Sequence, residues 1–199
     1  MEKTKKRFLA SFSVFNIIVI AMCAGLGIAV KPVIVPLVHI ITGPLFIPGG
    51  AVAGGFYMLF IVIAAGLVGK RGTATLTCAV QAVLVLITGV IGSHGIMSLV
   101  TYIIPGLLVD FLLIVLRRHY ACCAFCCFLS GMAANLAGTF LSNAVFFRLP
   151  FVPLMLTLLA ALLSGGLGGL IAWGVIKKLR LLNPAFAKKE NKDCEANEK

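Results

Sequence analysis

Six long apolar stretches fill this chain, and nearly all of its basic residues fall on one side of the membrane those stretches imply. The stretches are read as Phe12–Val30, Ala51–Gly69, Thr73–Gly89, Ile96–Leu116, Ala121–Asn143 and Pro153–Ile176. A bilayer core is about 30 Å thick and takes about 20 apolar residues per helix to cross. Together the spans use most of the 199 residues, which leaves no room for a soluble domain. Only 12% of residues are charged, against about 25% in soluble domains. The expectation is an all-α membrane protein, a compact six-transmembrane-helix bundle formed by a single integral domain over residues 1–180. Residues 181–199, rich in Lys, Glu, Asp and Asn, read as a disordered tail.

The formal net charge of +11 raises nucleic acid as a partner, but the placement of the charges argues against it. Lys3, Lys5, Lys6 and Arg7 precede the first span; Lys70 and Arg71 separate the second from the third. Arg117 and Arg118 separate the fourth from the fifth, and Lys177, Lys178 and Arg180 follow the sixth. Of the 17 basic residues only Lys31 and Arg148 fall on the other side. By the positive-inside rule the crowded side is cytoplasmic. Both termini and the tail are then inside a multi-pass protein of a bacterial plasma membrane, with anionic lipid as a secondary contact. The first span is too long for a signal peptide, and Lys31-Pro32 stands where small residues would mark cleavage.

The longest connection, Lys31 to Gly50, is apolar yet carries Pro32, Pro36, Pro44 and Pro48. A proline inside a helix deletes a backbone donor and clashes with the preceding turn. This predicts a short helix and an apolar lid over the outer end of the bundle; a re-entrant loop without a ligand role is the alternative. Ala21, Gly25 and Ala29 recur every four residues and form a small-residue stripe where another helix can approach closely. Gly50, Gly54 and Gly55 in the second span, and Gly165, Gly166, Gly168 and Gly169 in the sixth, read as packing positions.

Ionisable groups inside a span are expensive and mark either function or a specific pairing. Asp110 is the clear case, with Gln81, Asn135 and Tyr102 as expected partners. It reads either as a brace between helices or as a group that couples substrate release to conformational change. Uncharged hydrogen-bonding groups gather at the outer mouth: His39, Thr42, Tyr57, Ser93, His94, Tyr102 and Asn143. A mostly apolar pocket with a few such groups suits a small neutral or zwitterionic molecule. His39 and His94 also allow a metal or haem ligand, although no second ligand stands at diagnostic spacing. Cys122, Cys123, Cys126 and Cys127 read as reduced packing residues, or as a thiolate or acylation site. No catalytic signature occurs, so the chain reads as a non-enzyme with no cofactor and no resident metal.

About 170 residues resemble the substrate-binding S components of energy-coupling factor (ECF) transporters. The resemblance rests on Ala21/Gly25/Ala29, the apolar outer connection, Pro48-Gly49-Gly50, and the turn Gly69-Lys70-Arg71-Gly72. It also rests on Gln81…Thr88-Gly89…Gly92-Ser93-His94-Gly95 and on Pro105-Gly106…Asp110. The later motifs look most like the branch for thiamine and its hydroxymethylpyrimidine precursor. The acidic outer-site group that meets a cationic thiazolium is not found here, which leaves the substrate open. The resemblance implies a six-helix bundle that binds a vitamin-like micronutrient at the outer side. Ala21, Gly25 and Ala29 would dock it onto a T component held by two ATPase subunits. The competing readings are a standalone secondary permease or channel, an S component for a haem-like, cobalamin-like or metal ligand, and an intramembrane enzyme or cysteine-based metal handler.

Overall fold

The structure, a computed structural model, describes residues 12–45, 47–89, 97–116 and 123–182. Six α-helices follow one another: α1 (Val14–Thr42), α2 (Gly49–Val68), α3 (Thr73–Thr88), α4 (Met97–Val115), α5 (Ala124–Ser142) and α6 (Phe151–Leu182). A 3-10 turn (Gly43–Leu45) follows α1, and a π-helical segment (Asn143–Phe147) extends α5. There is no strand among the described residues. In lipid every backbone polar group needs an internal partner, and helices supply it within each segment.

Four helices are long and apolar enough to cross a membrane: α1, α2, α6, and α5 with its π extension. The apolar runs Thr73–Thr88 and Leu99–Val115 are shorter. The outer surface is as greasy as the interior: Val14, Met22, Ile41, Ile87, Phe111, Phe151 and Leu163 are all largely exposed. Soluble monomers do not carry apolar surface on that scale. The chain is a multi-pass membrane protein.

The most deeply buried helix is α2, with α1, α3, α5 and α6 packed around it. Glycine explains how so many neighbours fit. A methyl group on Gly168 would lie 2.8 Å from the Gly55 carbonyl carbon, one on Gly131 2.9 Å from the Gly169 nitrogen, and one on Gly165 2.8 Å from Asn135 Cβ. Thus α2, α5 and α6 meet backbone to backbone. Lipid tails give helices no hydrophobic reason to associate, so such close packing and interhelical hydrogen bonds hold the bundle. Asn135 Nδ2 on α5 donates to Ala51 O of α2 at 2.9 Å and to Ala161 O of α6 at 2.8 Å. Ser164 Oγ of α6 donates to Val52 O and accepts from Gly55 N at 3.1 Å.

Two departures from the sequence-based expectation concern helix length. The first helix does not stop at Val30: α1 continues through Pro32 and Pro36 to Thr42. The two prolines are four residues apart, so the bonds they delete lie along one row of the helix. A continuous helix can pair the rest of the segment's backbone internally, which breaking it in lipid would forfeit. The irregular connection shrinks to Gly43–Pro48, where Pro44 lies in the 3-10 turn and Pro48 caps α2. The expected lid is therefore mostly helix. At the other end of the chain α6 runs on through Leu182, so Leu181 and Leu182 are helical rather than part of a tail. Arg180 Nη2 ties this extension to the bundle by donating to Gly66 O at 2.7 Å. Residues 183–199 lie outside the described residues.

The link between α2 and α3 shows why the motif Gly69-Lys70-Arg71-Gly72 has glycine at both ends. Gly69 (φ 58°) and Gly72 (φ 85°) both adopt the left-handed conformation, which costs glycine nothing and other residues about 1–2 kcal/mol.

Candidate functional site

At the end of the bundle away from Phe12 and Leu182 lies a cavity of about 560 Å³. That volume suits a drug-sized organic molecule. The continued half of α1 forms one wall through Lys31, Val35 and His39. The start of α2 forms another, with Tyr57 and Met58 deeper in. Thr101 and Tyr102 come from α4, Thr139 and Ser142 from α5, Asn143 and Phe147 from the π segment, and Thr157 from α6. A small residue makes room within it: Gly138, whose added methyl group would meet Met58 Cε at 3.0 Å.

Lys31 supplies the cation of this cavity. Its Nζ donates to the Tyr102 hydroxyl. It also lies 4.8 Å from the centre of the Tyr102 ring and 5.5 Å from that of Tyr57. The Tyr57 distance falls within the range where an ammonium is attracted to an aromatic ring, while at Tyr102 the contact is the hydroxyl itself. Tyr57 is itself fixed, since its hydroxyl donates to Gly50 O at 3.2 Å. His39 joins two helices: its Nδ1 accepts from Gly49 N at 3.3 Å. That bond satisfies one of the backbone donors left over at the start of α2.

Asn143 Oδ1 accepts from Leu149 N at 3.1 Å, and Asn143 O accepts from Arg148 N at 2.8 Å. These bonds close the turn into α6, with Arg148 in the left-handed conformation (φ 45°) and exposed at the rim between Phe147 and Leu149. Single π-turns inside α-helices are frequent at functional sites.

Of the residues expected at the outer mouth, His39, Tyr57, Tyr102 and Asn143 line this one cavity. Thr42 does not line it: the side chain is buried and its hydroxyl donates back to Val38 O at 3.0 Å. Ser93 and His94 lie outside the described residues. Sequence reasoning missed Lys31 as a cavity residue and read it only as a charge beyond the end of a span. Its available signal was its place before two prolines in a segment that stays apolar to Leu45.

The opposite half of the bundle holds the remaining polar groups. Asp110 is buried, and its Oδ2 accepts from Thr75 N at 2.8 Å and from Thr75 Oγ1 at 2.6 Å. The Gly72 N-cap offers α3 no side chain, so a carboxylate from α4 serves that end instead. The partner is Thr75, not the expected Gln81, Asn135 or Tyr102. Thr75 is close because Gly106 lets α4 approach α3, where an added methyl would lie 2.9 Å from Ala74 O. Gln81 is buried where α3 meets Gly27 of α1. Asn135 spends both amide hydrogens on the α2–α5–α6 contact.

Ala21 and Ala29 are exposed on α1, and a methyl group added at Gly25 meets nothing within 4 Å. This stripe therefore faces out of the bundle. Cys126 and Cys127 are buried, Cys123 caps α5 by accepting from Cys126 N at 3.4 Å, and Cys122 lies outside the described residues. Among the described residues no group of three or more His, Cys, Asp or Glu is placed to hold a metal ion.

No curated protein matches the sequence. A crystal structure described as an S-component of an ECF transporter superposes with a TM-score of 0.73 and 22% identity, covering 93% of this chain and 98% of that one. At that identity the likeness concerns the fold. Residues 15–137 match the model of a family described as the permease component of an ABC-type cobalt transport system. A helical bundle with the S-component fold, apolar on its outside and hollow at one end, is thus joined to a sequence match over most of its length, and the chain belongs to that permease-component family.

Proposed function

We propose that this protein is the substrate-binding subunit of an ECF-type importer, taking up a vitamin-like micronutrient. The observation that carries the reading is the 560 Å³ cavity at the end of the bundle remote from the termini, within a fold like that of an S component. On this reading all six helices cross the membrane with both termini in the cytoplasm, which the charge asymmetry supports. The cavity then opens to the outside. The chain contributes binding rather than catalysis, and ATP hydrolysis by two partner subunits drives release.

The outward stripe Ala21/Gly25/Ala29 is the face offered to a T component. A bundle in lipid gains nothing from small residues on its outside unless another helix packs there. The family description names cobalt as cargo. A bare divalent cation would meet the Lys31 ammonium as a like charge, so an organic cargo is favoured.

The test is purification of the tagged chain from its own membrane. The expected result is a complex with one further multi-span protein and two nucleotide-binding subunits, carrying a bound small molecule. Gly25→Leu, which the open space at that position accommodates, should lose the protein partners and keep the small molecule. Flux through liposomes containing this chain alone would favour a standalone permease instead.

A further inference from the structure

We infer that the ligand carries an anionic oxygen group, a carboxylate or a phosphate, and that Lys31 is the residue that selects it. The inference deepens the substrate-binding reading and rests on it.

Asp110 is the sole acidic residue between Lys3 and Lys189. Its Oδ2 is committed to Thr75, about 12 Å along α4 from Tyr102 at 1.5 Å per residue. Among the described residues, then, no carboxylate is available to the Lys31 ammonium. Lys31 is half-buried, and a cation drawn partly out of water without a partner carries a cost that an anionic ligand would offset. Instead of an acid, Lys31 has the Tyr102 hydroxyl and, 5.5 Å away, the ring of Tyr57. These hold the ammonium in place without neutralising it, and two of its three donor hydrogens remain to be shared with a ligand. Arg148 at the rim adds a second positive charge at the same end.

The rest of the cavity specifies the body of the ligand. Val35, Ile47, Met58, Phe147 and Leu149 offer apolar walls, so the match is a small organic acid with an apolar or aromatic body. A permanently cationic molecule such as thiamine would meet Lys31 as a like charge.

The experiment uses the full chain, purified in detergent and exposed to a protein-free metabolite extract of its own host cell. Retained species are identified by mass spectrometry in both polarities, with and without phosphatase treatment to separate phosphates from carboxylates. Wild type, Lys31→Met and Lys31→Arg are compared, with thermal unfolding as the check on folding. The expected result is retention of an anion by wild type and Lys31→Arg. Lys31→Met should retain about 10- to 100-fold less, as for the loss of a hydrogen bond to a charged group. A retained cation or neutral species, anionic lipid alone, or an anion held equally by a folded Lys31→Met overturns the inference. The charge of what wild type retains decides the matter even if Lys31→Met fails to fold. An empty wild-type chain overturns the substrate-binding reading itself, a distinct result.

Discussion

Adding one methyl group at each of two glycines should move stability in opposite directions. At Gly168 the new carbon would lie 2.8 Å from the Gly55 carbonyl carbon and closer still to its oxygen, where ordinary contact starts near 3.4 Å. Both groups are helix backbone, so α2 and α6 would have to separate. Overpacking of this kind costs about 1–3 kcal/mol, and the better helix propensity of alanine returns about 1 kcal/mol. Gly168→Ala is therefore expected to be destabilising by up to about 2 kcal/mol, a fall in melting temperature of up to about 8 °C for a chain this long. At Gly25 nothing lies within 4 Å, so only the propensity gain remains and the melting temperature should rise by about 2–4 °C. Thermal unfolding of the purified variants in one detergent reads both. Equal destabilisation by the two substitutions would mean that α1 does not present its small-residue stripe outward.

Three further outcomes follow from the polar contacts. Asn135→Ala removes both donors that join α2, α5 and α6 and should lower stability by about 1–3 kcal/mol, measured by the same melting assay. Asp110→Leu strips α3 of its cap and should cost about 1–2 kcal/mol, yet leave ligand retention unchanged because Asp110 is remote from the cavity; a changed ligand affinity would point to coupling instead. Serine at Cys122, Cys123, Cys126 and Cys127 should leave uptake intact, and loss of uptake together with bound metal would establish a thiolate site.

The length of the apolar runs and the placement of charge made the helices legible in the sequence because lipid imposes so few alternatives on the backbone. The glycines of α2 and α6 were legible for the same reason: helices in lipid associate through small residues. The prolines of α1 misled, since Pro32 and Pro36 read as helix breakers by the rules of water, where a broken helix can pair its backbone with solvent. Lys31 followed that error. Placed in a loop it was a topology charge; placed on a continuing helix it turns toward Tyr57 and Tyr102. Residues that share the cavity by virtue of helix ends, such as His39 and Asn143, could be grouped from the sequence, but the partner of Asp110 could not. Which turn of α3 faces Asp110 depends on a close approach at Gly106 that spacing alone does not encode.

The greasy outside of this bundle also bears on how its relatives are found. Positions such as Ile41, Ile87 and Leu163 are largely exposed on the outside of the bundle, and any oily side chain suits a lipid-facing surface equally well. Much of the sequence is therefore free to drift while the backbone holds its course, in keeping with a shape shared over 93% of the chain with only 22% of residues alike. Overall resemblance then says little about cargo, and the few inward side chains around the hollow are where one transporter should be told from another.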